Sequence, residues 1–224
     1  MPQRRQKARD GIVAPQIHSD FAKRDVTTME LEDRENIAQA TLDHVELLGL
    51  DCDWLHLSEV VATEIVLAES HLHHLRIEDA RIAGGNLANA DWSGATCYRV
   101  EFNGCRMTGL TWPSSELHDV RFTNCKCDLT QFFQAKCHAA RFEHCQLNGA
   151  DFRQADLTGV VFAQCDLSEG DFTGATLAGA DLRGCPISGM RVGFQELRGA
   201  TIDEHQAREL IRLMGITIAE VERR

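Results

Sequence analysis

No stretch of this 224-residue chain approaches about 18 consecutive apolar residues, the length a helix needs to cross a bilayer, so no membrane span is expected. Met1-Pro2-Gln3-Arg4-Arg5-Gln6-Lys7 has the charge of an export signal, but no apolar segment follows it. The expected location is therefore the cytoplasm. C-x-x-C pairs with zinc spacing are missing despite nine cysteines, so no metal is expected. Also missing are a glycine-rich phosphate loop, a nucleophile elbow and an H-E-x-x-H helix, which leaves no catalytic residue, cofactor or enzyme activity to predict. Residues 37–75 contain no Lys or Arg but seven acids, and the whole chain has a formal charge of −11. Such a surface repels phosphates and argues against direct nucleic-acid binding.

What the chain does have is a period of five. Every fifth residue from Leu42 to Ile202 is apolar, 33 positions without a slip. At a 43% apolar background that run has a chance probability of about 10^-12. A helix would rotate this set around its axis, and a flat strand would alternate it between faces. Only a coil that turns a corner every five residues keeps it inside. Two residues before each centre lies a second inward position, usually small, as at Ala90, Ala95, Ala150, Ala155, Ala175 and Ala180.

A longer period gives the size of a coil. Phe102, Phe122, Phe142 and Phe162 recur every twenty residues, and so do Trp92, Trp112, Phe132, Phe152 and Phe172, ten residues out of phase. Four sides therefore close one coil, with the two aromatic series stacked on opposite faces, and about eight coils would give a rod roughly 40 Å long. Cys105, Cys125, Cys145, Cys165 and Cys185 follow the same twenty-residue period in the small inward slot. Stacked about 4.8 Å apart, they are too distant for disulfide Cβ geometry and read as reduced core thiols.

Blocks such as Ala150-Asp151-Phe152-Arg153-Gln154, Ala155-Asp156-Leu157-Thr158-Gly159 and Ala180-Asp181-Leu182-Arg183-Gly184 resemble the A(D/N)LXX signature of pentapeptide repeat proteins. The resemblance implies an all-β fold, a right-handed quadrilateral β-helix, over residues 37–202. Residues 1–36 are then an N-terminal tail and cap, and residues 203–224 a C-terminal capping helix and short strand. Large or polar residues in the small slot, namely Leu50, Leu55, Ile65, Leu75, Leu110, Met190 and Gln195, predict locally distorted coils. Pro113 predicts a bulge through loss of a ladder donor.

The ends and the surface carry the functional expectations. Asp203 and Gln206 have capping-box spacing, after which Ala207, Leu210, Ile211 and Met214 form one apolar helix face that Gly215 terminates. Ile216 and Ile218 then alternate as a short strand. This tail resembles the dimerising end of quinolone-resistance pentapeptide proteins, so it is either a homodimer contact or simply a cap. Ile12, Ile17, Phe21, Met29 and Leu31 are available to cover the first coil. His56, His71, His73 and His74, near Glu59, Glu64 and Glu69, read as an outward histidine group. The candidate partner-binding surface is acidic: Asp51, Asp53, Glu59, Glu64, Asp151, Asp156, Asp166, Asp171 and Asp181, with a basic waist at Arg99, Arg106, Arg121, Lys126, Lys136 and Arg141 between its two halves. The resemblance implies a DNA mimic that binds DNA gyrase or topoisomerase IV. The alternative is a structural or protein-interaction scaffold with another partner.

Overall fold

The structure, a computed structural model, describes residues 11–18 and 31–219. Its core is a parallel β-solenoid of four-sided coils, in which the stacked register advances by twenty residues from Asn36↔His56 to Asp181↔Thr201. Seven strands stack in chain order: β1 (Asn36–Asp43), β2 (His56–Thr63), β3 (Arg76–Ala83), β4 (Thr96–Asn103), β5 (Glu116–Thr123), β6 (Lys136–Glu143) and β7 (Val161–Ala163). Seven strands span six turns, fewer than the eight-odd coils expected, because the later winding is held by single bridges instead of strands.

Each five-residue block has one job per position. The centre and the small slot point inward and are buried, as at Trp92 and Ala95 or Phe152 and Ala155. The residue before the centre donates to the coil beneath, as Asp151 N does to Thr130 O at 2.9 Å. The second residue after the centre turns the corner with positive φ, at every fifth position from Arg34 to Gly189. Glycine meets that demand freely, whereas 21 non-glycine residues accept it, each at a cost of about 1–2 kcal/mol. The ladder and the filled core must offset that strain.

The change from long strands to bridges has a local cause. In β1 to β6 the chain passes from the fourth face to the first through Gln39, Glu59, Asp79, Arg99, Asp119 and Ala139, at φ 50–55°. In the next coil Gly159 occupies this corner at φ 72°, and Val160 N closes a turn on Leu157 O at 3.1 Å. A glycine at the third turn position is what such a closed turn favours, so β7 begins only after it.

The core is two aromatic ladders wide. Phe102, Phe122, Phe142 and Phe162 stack on the first face at centroid separations of 5.2, 4.5 and 5.2 Å. Phe132, Phe152 and Phe172 stack on the third at 4.9 Å each. The ladders meet edge to face across the axis, as Phe132 and Phe142 do at 5.9 Å, a geometry that adds about 0.5–1.5 kcal/mol per pair beyond burial. All nine cysteines are buried and unpaired. Burial pushes the Cys137 thiol up to about 12, well away from a reactive thiolate.

Two expectations about the coils need correction. Leu50, Leu55, Ile65, Leu75 and Leu110 distort nothing, since all are buried and the flanking bridges persist. Gly85, in the slot directly above Ile65, leaves the needed space, for a Cβ there would lie 3.2 Å from Ile65 Cγ2. Nor does Pro113 cause a bulge, because the residue after a centre points its N–H outward rather than into the ladder. In other coils that N–H is taken by an aspartate side chain, as Arg153 N is by Asp151 at 3.0 Å. Pro113 simply fills the second position of a turn whose third residue, Ser114, has φ 55°. Distortion does appear at Gln195, which is exposed beside Phe194 at 68% exposure, while Leu197 N reaches back to Gly193 O.

Both ends are covered, though not as expected at the N-terminus. Leu31 joins the core below the first coil. Ile12, also buried, belongs to a segment that lies along the side of the solenoid as far as Asp119, and Phe21 and Met29 fall outside the described residues. At the other end α1 (Glu204–Leu213) carries the reciprocal Asp203–Gln206 capping box. Leu210 is buried, whereas Ala207, Ile211 and Met214 are half-buried. Ile216 and Ile218 form no strand and are exposed, because Gly215, at φ 77°, releases the chain where no strand edge receives it.

Candidate partner-binding surface

Outward side chains sit in columns, since each residue lies under the one twenty positions later. The third face carries the column Asp51, His71, Asp91, Thr111, Gln131, Asp151, Asp171 and Arg191. The second carries Glu46, Val66, Asn86, Arg106, Lys126, Gln146 and Asp166. Thus Asp51, Asp53, Asp151 and Asp171 share the third face, Glu64 and Asp181 the first, Asp166 the second, and Glu59 and Asp156 the fourth. The fold puts four of the nine candidate acids on one face, Asp51 and Asp151 being five coils apart, and spreads the other five around the rod.

The C-terminal acids have work inside the fold. Asp151, Asp156, Asp166, Asp171 and Asp181 each accept a hydrogen bond from the backbone N–H two residues on, at 3.0–3.1 Å. That is an Asx turn, repeated at successive corners, and it explains why aspartate precedes the centre. Three of these acids also hold an arginine: Asp151 with Arg153, Asp181 with Arg183 and Asp171 with Arg191. The hydrogen bond from Thr158 lowers the pKa of Asp156, and that from the Arg183 side chain lowers Asp181. For Asp171 burial opposes the shift, but hydrogen bonds from Thr173 and the charge of Arg191 prevail and lower it.

The N-terminal acids differ. Asp51, Glu64 and Glu69 are exposed, and no side-chain hydrogen bond or ion pair joins them to another described residue. Asp53 lies 2.9 Å from His73 Nδ1, whose Nε2 is 3.6 Å from Asp91. His74 stacks on Trp54 at 4.2 Å. The histidine group is therefore resolved into separate contacts, with acids other than Glu59, Glu64 and Glu69. Among the described residues no cluster of His, Cys, Asp or Glu has metal-binding geometry, and no helix is long and apolar enough to cross a membrane.

The basic waist is largely neutralised. Arg99 pairs with Asp79 while lying over the Tyr98 ring, Arg121 and Arg141 pair with Glu143, and Lys136 pairs with Glu116. Arg106 and Lys126, stacked and exposed on the second face, make no ion pair with any described residue.

Sequence reasoning passed over two carboxylates on the fourth face. Asp119 Oδ1 accepts from Val13 N at 3.0 Å and Asp79 Oδ1 from Gln16 N at 2.8 Å, while Glu59 holds His18 Nδ1 at 2.6 Å. Their one sequence signal is that acids recur at the corner position of this face; where residues 11–18 dock could not be read from it.

A profile described as "Pentapeptide repeat region" matches residues 95–169 and 135–210, together just over half of the chain. No curated protein sequence matches significantly. Among solved structures, a trypsin-treated variant of QnrB1, a plasmid-mediated fluoroquinolone resistance protein, is 18% identical, with 87% of this chain and 98% of that one covered at a TM-score of 0.41. HetL, a pentapeptide repeat protein involved in heterocyst differentiation regulation in Nostoc sp. strain PCC 7120, is 20% identical over 77% and 91% of the two chains, with a TM-score of 0.27. A pentapeptide repeat protein of the Arabidopsis thaliana thylakoid lumen is 23% identical, covering 49% and 72% at a TM-score of 0.34.

Proposed function

The chain belongs to the pentapeptide repeat family, and from that premise we propose that it is a non-enzymatic protein-binding rod whose acidic surface engages a cationic groove built to hold duplex DNA. DNA gyrase or topoisomerase IV is the candidate partner. The observation that supports this reading lies at the N-terminal end of the solenoid, where Asp51, Glu64 and Glu69 are exposed on three faces of adjacent coils and pair with no cation among the described residues. Duplex DNA presents about one charge per 1.7 Å of axis, and coils stacked about 4.8 Å apart approach that density only where several faces contribute. The first coils meet that condition. From Asp151 to Asp181 the five aspartates are held in corners, three of them also paired with arginines.

That pairing favours a second reading, an interaction scaffold whose partner is not a DNA-binding enzyme. A supercoiling assay with the gyrase of the same organism, with and without a fluoroquinolone, separates the two. Mimicry predicts inhibition or relief of drug-induced cleavage at low micromolar protein, lost when Asp51, Glu64 and Glu69 are changed together to Lys. No effect up to large excess supports the scaffold. Reversing Asp151 or Asp171 is a poor test, because either change also removes a corner hydrogen bond.

A further inference from the structure

The segment Gly11–His18 is laid lengthwise on the fourth face, running from the coil of Asp119 down to the coil of Glu59. Ile12 and Pro15, three residues apart, are buried, while Gly11, Ala14, Gln16 and His18 are exposed. The contacts keep the same step. Val13 and Gln16 donate their backbone N–H groups to Asp119 and Asp79, acids two coils apart in the register. Three residues of extended chain cover about 9–10 Å, and two coils cover about 9.6 Å. Chain and solenoid are commensurate, so the spacing can continue along the rod.

The face itself is prepared for this. Asp79 is held from behind by Arg99, whose Nε donates to its Oδ1 at 2.6 Å, and Gln39 steadies Glu59 at 3.4 Å. Two of the three polar contacts read main-chain donors rather than side chains, and Pro15 lies where no donor is read. The face therefore tolerates many sequences, provided an aliphatic residue, a proline or similar apolar residue and a side chain that hydrogen-bonds a carboxylate follow one another at intervals of three.

We propose that the fourth face is a docking track for an extended segment of a partner protein with that three-residue pattern, and that residues 11–18 occupy the track in cis and lift off when the partner binds. A segment tethered to its own site competes at an effective concentration of about millimolar, so the strap suppresses weak ligands and yields to a better-matched one.

The test uses the full chain and a capped, fluorescent peptide of residues 11–18. In the Ile12→Asp chain, or in the Gln16→Pro chain that loses one strap donor without altering the solenoid, the peptide should bind at least about 10-fold tighter than to the unaltered chain. N-methylation of the peptide at Val13 and Gln16 should remove that binding, and Asp119→Ala in the same background, which deletes the acceptor of the Val13 N–H, should weaken it. Equal binding to altered and unaltered chains, undiminished binding of the methylated peptide, or no binding up to millimolar concentration would overturn the proposal. So would a dimer of the unaltered chain that the peptide dissolves, since the track would then belong to a second copy's strap.

Discussion

Trp92 and Trp112 show how much one neighbour decides. Both are fully buried, but Trp92 Nε1 donates to Ser70 Oγ at 3.3 Å, whereas Trp112 Nε1 is buried without a partner. Ser70 precedes Trp92 by 22 residues, and the residue in the same relation to Trp112 is Ala90. An orphaned buried donor costs about 1–3 kcal/mol, so Ala90→Ser should stabilise the chain by about 1 kcal/mol, with its hydroxyl placed as Ser70's is. Urea unfolding with an unchanged m-value would show this; a loss of stability would mean the slot cannot hold the extra atom. Aromatic and small residues at these positions were legible from the period. That one tryptophan was satisfied and the other was not depended on a residue in the coil below.

At the scale of the element, the five-residue block separates positions that need a backbone donor from those that do not. Asp171 N donates to Ala150 O at 2.9 Å within the ladder, whereas Thr173 N is taken only by the Asp171 side chain. Thr173→Pro should therefore cost less than about 1 kcal/mol, as Pro113 already illustrates, while Asp171→Pro should cost about 3 kcal/mol or more. Chemical denaturation of the two variants checks the difference, and equal losses would mean that the N–H assignments are wrong. The C-terminal helix provides a second test. Gln206 is buried and donates through Nε2 to Leu182 O at 2.6 Å and Cys185 O at 2.8 Å, so it seals carbonyls at the open end of the solenoid as well as forming the capping box. Gln206→Ala should destabilise the protein by about 1–3 kcal/mol, measured by urea titration of far-UV circular dichroism. The helix and its box were legible from Asp203, Gln206 and Gly215. The plugging role was not, because those carbonyls belong to residues more than twenty positions upstream.

For the whole molecule, the repeated aspartates tie stability to acidity. Asp156, Asp171 and Asp181 have folded pKa values below the usual carboxylate range, so below about pH 4 the unfolded chain binds more protons than the folded one. Their stabilising contribution is fully present above the unfolded carboxylate pKa and is lost as pH falls through the depressed folded values. Thermal melting between pH 7 and pH 2 should show this contribution as a decline beginning near pH 4; a melting temperature indifferent to acid would show that these corner bonds contribute nothing.

The winding was written in the local pattern of the chain. A side-chain direction that repeats every five residues, and again every twenty, allows only one way to bury the apolar set, so coil size, core ladders and corner positions followed from local geometry. Everything that depends on which coil meets which neighbour came from the folded packing. It distributed nine acids over four faces, bound five of them into corners, turned most of the basic waist into ion pairs and laid residues 11–18 against Asp119, Asp79 and Glu59. Periodicity fixes the direction of a side chain relative to its own backbone. It carries no information about side chains brought alongside from another part of the chain, and those are what set the charge and the access of a surface.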